Sequence, residues 1–184
     1  MADPGPSSSG AHHRLSNRLE VEVIRRVELW DRTGVSDATL SLAALAAFEA
    51  APPAGQLPTE VTLVLTDDSE VRQLNRTWRG MDAPTNVLSF PSGEPVGETP
   101  EEPYLLGDVV LAGETVLKEA RLKGVSVPDH VSHLVVHGLL HLLGFNHERN
   151  EDAERMEALE TEILAGLGIA DPYAEAGAVA EALP

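Results

Sequence analysis

The sequence contains no cysteine among its 184 residues. It can therefore form no disulfide framework, no thiolate zinc site and no cysteine nucleophile, so any metal must be held by histidine or carboxylate groups. No apolar run is long enough to cross a bilayer, and the first residues lack the basic and apolar regions of a secretory signal. These absences predict a cytoplasmic protein with no membrane or disulfide partner.

The chain is also poor in basic residues, with 13 Lys and Arg against 30 Asp and Glu and a formal net charge of -17 at pH 7. This charge repels a polyanion at long range, which counts against a protein that coats nucleic acid without specificity. It does not exclude a small basic cleft.

The length suits one domain with a sizeable core, and no internal repeat is present. Residues 1–17 are rich in Ser, Pro and Gly and show no apolar periodicity, so we expect a disordered N-terminal extension. Residues 169–184 are expected to form a loose C-terminal tail. The folded domain is therefore predicted to span residues 18–168.

Between these ends, apolar residues recur with the spacing of strands in some segments and of helices in others. We expect an α+β fold, a single compact domain with a mixed four-stranded sheet flanked by helices. The most apolar helix carries several histidines, follows a capping-box-like Ser126 and should be central and buried. The last helix places Met156, Leu159 and Ile163 at core spacing and its acidic residues outside. The predicted strands are Leu19–Val23, Val61–Thr66, Val87–Phe90 and Leu105–Ala112, and the predicted helices are Asp37–Ala50, Asp68–Arg79, Glu114–Lys123, residues 127–142 and Glu151–Ala165.

Three histidines, His137, His141 and His147, have the spacing of a metal site, with Gly144 between the last two. On a helix, His137 and His141 lie one turn apart on the same face, so their rings converge. Gly144 can take the positive φ that ends a helix and lets the chain turn back with His147. Three neutral nitrogens leave a tetrahedral zinc ion one position for water, which predicts a metal-dependent hydrolase. Other divalent metals that bind imidazole fit the same ligands, and a plain hydrogen-bonded core pair is the alternative for the first two histidines.

The histidine spacing also matches that of the metzincin proteases, which place a glutamate directly after the first histidine as the base. Here that position is Gly138, which cannot accept a proton, so a metallopeptidase is disfavoured. Two further histidines continue the same helical stripe. His133 would either support a ligand or substrate, or stand as a polar residue at the edge of a cleft, and His130 is expected on the surface.

The helix predicted over 68–79 has an apolar face, with Val71, Leu74 and Trp78 in one stripe, and a cationic face. Guanidinium groups bind phosphate bidentately, so the cationic face would be able to hold an RNA backbone in spite of the net charge. Ordinary pairing with Asp or Glu on a solvated surface is the alternative. Trp78, Phe90 or Phe145 would stack a splayed base if exposed, although such residues are more often core. The cationic residues are Arg72, Arg76 and Arg79.

Four blocks occur in order along the chain, namely LNRTWR at 74–79, TNVLSFP at 85–91, LGDV at 106–109 and HGLLHLLGFNH at 137–147. Together they resemble the YbeY family of bacterial metal-dependent endoribonucleases, over about residues 19–165. The resemblance implies a mixed four-stranded sheet, a zinc ion on the three histidines and cleavage of single-stranded RNA. It also implies action in 16S rRNA 3′-end maturation and ribosome quality control. The block at 85–90 is expected to line the cleft, with Ser89 a weaker candidate, since serines near strand ends are usually structural.

Carried over by position, the resemblance makes His137, His141 and His147 the metal ligands and catalytic residues. It makes Arg79 the cleft arginine that engages the scissile phosphate. The family commonly has Asp before the last histidine, where this chain has Asn146, which cannot accept a proton as a carboxylate can. The implied partners are single-stranded RNA or rRNA and the small ribosomal subunit. A noncatalytic ribosome-associated factor whose metal only braces the fold is the remaining alternative, and the general base, cleavage site and oligomeric state stay open.

Overall fold

The structure, a computed structural model, describes residues 18–53, 58–93, 103–147 and 149–174. These residues include one 3-10 helix at Glu28–Arg32. No helix among them is long and apolar enough to cross a membrane. Their strands are β1 (Leu19–Arg25), β2 (Thr59–Thr66), β3 (Val87–Pro91) and β4 (Tyr104–Ala112), and their α-helices are α1 (Asp37–Ala50), α2 (Asp68–Arg79), α3 (Gly113–Lys123), α4 (Val127–Leu142) and α5 (Asn150–Gly166).

The strands form one mixed sheet in the order β1-β2-β4-β3. β1 pairs with β2 and β2 with β4 in parallel, whereas β3 runs antiparallel to β4 at the edge of the sheet. Parallel neighbours need a crossover connection, which α1 supplies between β1 and β2. The predicted α+β fold with a mixed four-stranded sheet is confirmed.

The two faces of the sheet pack against different helices. Side chains alternate along β2, so Leu63 and Leu65 join the main core, while Val64 joins a second cluster on the opposite face. Helices α1 and α4 contribute to the main core, and α2 covers the second cluster through Val71. Helix α4 is apolar nearly all round, which confirms the prediction of a buried central helix that carries the histidines. Its fully buried residues are Val131, Val135, Val136, Leu139 and Leu140.

The expected terminal segments lie largely beyond the described residues. The extension predicted at 1–17 and residues 175–184 of the predicted tail fall outside the described ranges. Residues 169–174 of that tail are described, and Ile169 packs partly buried against the main core.

Helix α4 approaches the sheet closely at Gly138. A Cβ atom added there would lie 2.7 Å from Cγ1 of Val109 and 3.0 Å from Oγ of Ser89. The Ser89 hydroxyl donates a hydrogen bond of 3.0 Å to the Gly138 carbonyl. The missing side chain therefore lets α4 pack directly on β3 and β4, which fixes the position of the neighbouring histidines.

Replacing Gly138 by alanine is expected to lower the free energy of unfolding by about 1–3 kcal/mol, because the buried β-branched Val109 has little room to move. Denaturant unfolding measures this change. Gly166→Ala is the matched control, since an added Cβ there meets nothing within 4 Å. The control should be neutral or stabilising by up to about 1 kcal/mol. Equal stability of Gly138→Ala and the unmodified protein would contradict the close approach.

Candidate metal centre

His137 and His141 lie on successive turns of α4, near its C-terminal end. Their Nε2 atoms are 3.1 Å apart, and the two rings meet edge to face with centroids 4.6 Å apart. In tetrahedral zinc sites the zinc–nitrogen distance is about 2.0–2.1 Å, which places two ligand nitrogens about 3.3 Å from each other. The pair is therefore already spaced as two nitrogens that share one ion.

The loop after α4 brings the third histidine to this pair. Gly144 has a φ of 94°, and its N–H donates to the His141 carbonyl at 3.1 Å, which ends the helix. The ring of His147 then lies against both others, with centroid separations of 4.9 Å to His141 and 5.8 Å to His137. This is the turn back that the glycine predicts.

The three histidines each offer one nitrogen, and these atoms all lie within 4.8 Å of one another. His147 is exposed, whereas His137 and His141 are partly buried, so the His147 side chain has room to complete a tetrahedral set. Imidazole nitrogens suit zinc and other divalent transition metals. Three protein ligands leave a fourth position open, as in catalytic zinc sites. The residues present therefore fit a single divalent ion.

Hydrogen bonds on the far side of two of the rings, those of His137 and His141, orient the nitrogens that face each other. Nδ1 of His137 lies 2.7 Å from Oε1 of Glu160, and Nδ1 of His141 lies 3.0 Å from the Phe145 carbonyl oxygen. Both oxygens only accept, so each Nδ1 carries the hydrogen and each Nε2 presents a lone pair. Burial, and next the proximity of the titratable His137, lower the pKa of His141, which favours the neutral ring that a metal ligand needs.

Glu160, on α5, is a site residue that the sequence reasoning missed. It is fully buried, and its carboxylate accepts hydrogen bonds from His137, from Nε2 of His133 at 3.2 Å and from the Tyr173 hydroxyl. Burial by itself raises the pKa of Glu160, but these three hydrogen bonds outweigh it and bring the pKa to about 2. The group is therefore a buried anion directly behind the ring of a candidate metal ligand.

The expectation that the acidic residues of α5 lie outside is wrong for Glu160. Met156 and Ile163 of the predicted core stripe are buried, and Glu160 lies on the same face, four residues after Met156. A carboxylate within an apolar stripe is the signal that identifies such a residue, because a buried charge requires partners.

The two remaining histidines of the α4 stripe have different surroundings. His133 contacts Glu160, which is also the partner of His137. Of the two interpretations of His133, this contact favours a group that supports a candidate ligand over a polar residue at the edge of the cleft. His130 is 3% exposed, and its Nε2 lies 2.7 Å from Oε2 of Glu119. The prediction that His130 lies on the surface is wrong, because α3 packs against the start of α4. Glu119 also accepts a hydrogen bond of 3.0 Å from the side-chain amide of Asn86, the residue just before β3. Glu119 therefore connects His130 with the start of β3.

A cleft of about 790 Å³ opens in front of the three histidines. Residues 85–91, which include strand β3, line one wall, as expected for the block at 85–90. Arg79, exposed at the end of α2, lines the same cleft. No carboxylate in the described part of the chain lies within ion-pair distance of Arg79. The cleft thus combines a candidate cation site with a guanidinium group available to bind an anion.

Arg72 and Arg79, both on α2, have different surroundings. Arg72 forms a bidentate pair with Asp82, with nitrogen–oxygen distances of 2.8 and 2.9 Å. The sequence left two interpretations of this helix face, phosphate binding and ordinary surface pairing. For Arg72 the second one applies. Arg72 therefore offers no free guanidinium to a phosphate-binding strip, whereas Arg79 lines the cleft.

Trp78 differs from the predicted core stripe of α2. Val71 is fully buried, but Trp78 is 70% exposed, at the rim of the cleft. Its ring meets the Phe90 ring of the edge strand β3 with centroids 6.1 Å apart. An exposed indole at this position offers a surface on which a base can stack.

Fold and site together define an α+β protein with a three-histidine centre able to hold one divalent metal ion. The chain belongs to the YbeY family, because it matches the family described as Endoribonuclease YbeY over residues 32–168. The resemblance recognised in the four sequence blocks is therefore confirmed.

Several proteins named Endoribonuclease YbeY are similar to most of this chain. One from Bradyrhizobium diazoefficiens is 49% identical over 156 residues, which cover 84% of this chain and 85% of the relative. One from Rhodospirillum rubrum is 54% identical over 146 residues, covering 76% of this chain and 73% of the relative. A solution structure of TM1509 from Thermotoga maritima aligns at a TM-score of 0.48 and 20% identity over 81% of this chain and 92% of that chain. That structural likeness is too distant to support a conclusion about function.

Proposed function

We propose that this chain is a zinc-dependent endoribonuclease that cuts single-stranded RNA in the cytoplasm and acts in 16S rRNA 3′-end maturation and ribosome quality control. The observation that carries the proposal is the convergence of three histidine nitrogens and Arg79 on one cleft. The family and the names of the relatives support the type of reaction.

Each group of the cleft has a defined task in phosphodiester cleavage. A divalent ion bound by His137, His141 and His147 would polarise a phosphate oxygen or activate the attacking hydroxyl or water. Arg79 binds the scissile phosphate and offsets the negative charge that develops on it. Because the whole chain carries a charge of -17, we expect attraction to RNA to be local and to centre on these two positive groups.

The shape of the cleft favours a single strand. An open site lined by an edge strand and an exposed Trp78 can take unpaired bases, whose faces stack on aromatic rings. A base in a duplex presents no free face to such a ring. We therefore expect unpaired RNA to be cut in preference to the same sequence in a duplex.

The site disfavours the metallopeptidase alternative, although the three histidines would suit it. The position after the first histidine is Gly138, and Val109 and Ser89 fill the space where a side chain would stand. Asn146, before the last histidine, is an amide that cannot take a proton. Product ends identify the nucleophile instead: attack by water leaves a linear phosphate, whereas attack by the ribose 2′-hydroxyl leaves a cyclic phosphate.

The proposal is tested with protein purified without a histidine tag, an end-labelled single-stranded RNA and the same sequence as a duplex and as DNA. We expect cleavage of the single-stranded RNA, loss of cleavage after chelation and recovery with added Zn²⁺. An RNA ending in the unprocessed 3′ end of 16S rRNA, presented on small ribosomal subunits, tests the cellular substrate. Cleavage that persists in the metal-free protein, or binding to subunits with no cleavage of any RNA, would refute the proposed activity.

A further inference from the structure

Tyr173 lies close behind the metal centre, although it stands beyond residues 32–168 that match the family. Its hydroxyl donates a hydrogen bond to Oε2 of Glu160. Its ring meets the His133 ring edge to face, with centroids 5.8 Å apart and an interplanar angle of 83°. The residue therefore contacts two members of the hydrogen-bond network behind the ligand His137.

The segment that carries Tyr173 is fixed to α5. The Ile169 N–H donates to the Leu164 carbonyl at 2.9 Å, next to the end of the helix. The Tyr173 N–H donates to Oδ1 of Asp171 at 2.8 Å, and the same oxygen lies 3.3 Å from the Thr161 hydroxyl. These bonds hold the phenol in place over Glu160.

The hydrogen bonds at Glu160 are divided between its two oxygens. Oε1 accepts a hydrogen bond from His137, while Oε2 accepts hydrogen bonds from both His133 and Tyr173. A buried carboxylate with donors on both oxygens has one orientation, because any rotation would leave a buried lone pair or donor unsatisfied. Loss of the phenol hydroxyl would weaken the hold on Oε2 and free the carboxylate to turn away from His137.

We propose that Tyr173 is a positioning residue of the metal centre: it holds Glu160 so that Oε1 accepts a hydrogen bond from Nδ1–H of His137 and Nε2 stays free for the ion. This inference rests on the metal site of the proposed function. Partners of metal-binding histidines of this kind fix the tautomer and raise the basicity of the ligand. The segment after α5 that carries Tyr173 is therefore part of the metal-binding site.

The test compares Tyr173→Phe with Tyr104→Phe, the same change at the other tyrosine of the chain, at the start of β4. The affinity of each metal-free protein for Co²⁺ is measured by competition with a chromophoric chelator, together with the visible absorption of the tetrahedral complex. We expect Tyr173→Phe to bind Co²⁺ about tenfold more weakly and Glu160→Gln up to about 100-fold more weakly. Tyr104→Phe should bind as the unmodified protein does.

The melting temperature of each metal-free variant separates positioning from mere stability. A purely structural role would lower that temperature in Tyr173→Phe and leave the Co²⁺ affinity unchanged, a result that overturns this inference alone. Failure of the unmodified protein to bind Co²⁺ at all would overturn the inference and the proposed metal site together.

Discussion

RNA cleavage by His141→Ala is expected to fall by at least about a thousandfold, since metal catalysis supplies several kcal/mol and each 1.4 kcal/mol is tenfold in rate. His141 is the candidate ligand whose Nε2 lies 3.1 Å from that of His137. Without it, two nitrogens remain, and the ion is no longer held in a site with one open position. Cleavage of the end-labelled single-stranded RNA measures the loss, and bound metal measured on the same samples should fall in parallel.

The matched control for this variant is His13→Ala, which makes the same chemical change at a position outside residues 32–168 that match the family. It should retain both metal and activity. A folded His141→Ala protein that cleaves RNA at the unmodified rate would contradict the proposed role of the three histidines.

Arg79→Ala is expected to lower cleavage about 100- to 1,000-fold, the usual effect of losing one group that stabilises developing negative charge. Arg79 has no carboxylate at ion-pair distance among the described residues, and it lines the cleft with the histidines. Bound metal should be unchanged, because Arg79 lies on α2 and none of the three ligands does. Arg79→Lys should recover part of the activity, since lysine keeps the charge but not the planar fork.

Arg72→Ala is the control on the same helix. Its guanidinium is already paired with Asp82, so the change should alter cleavage by no more than a few-fold. If Arg72→Ala and Arg79→Ala lower cleavage equally, the effect comes from the general charge of α2. The proposed contact of Arg79 with the phosphate would then be wrong.

Local signals in the sequence predict most of the fold. The helix predicted at Asp68–Arg79 ends at Gly80, whose φ is 71°, and begins after Asp67, whose carboxylate accepts from the Glu70 N–H. Such caps act within one turn and are therefore visible in a single sequence. Two of the three candidate ligands share one helix and the third follows a glycine turn, so their convergence is also a local property.

Residues that meet across long distances in sequence are not predictable in this way. Glu160 lies 23 residues from His137, and its burial depends on how α5 packs against α4. His130 is buried for a related reason, since the start of α4 lies against α3 and Glu119. Periodicity gives the face of a residue but not the element that covers it.

Trp78 shows the opposite case, in which a residue of an apolar stripe is left exposed. Val71 on the same face of α2 lies over the sheet and is buried, but seven residues later the helix has reached the rim of the cleft. Only the three-dimensional path of α2 distinguishes the two positions. This exposure supports a role in binding unpaired bases, which the sequence leaves undecided.

The most direct test of the metal centre is a crystal structure of the untagged protein grown with Zn²⁺, with anomalous diffraction measured at the zinc edge. We predict one strong peak at about 2.0–2.1 Å from a nitrogen of each of His137, His141 and His147. The Nδ1 atom of His137 should remain hydrogen-bonded to Glu160 in that structure. A zinc-saturated crystal with no peak among these three rings would contradict the account.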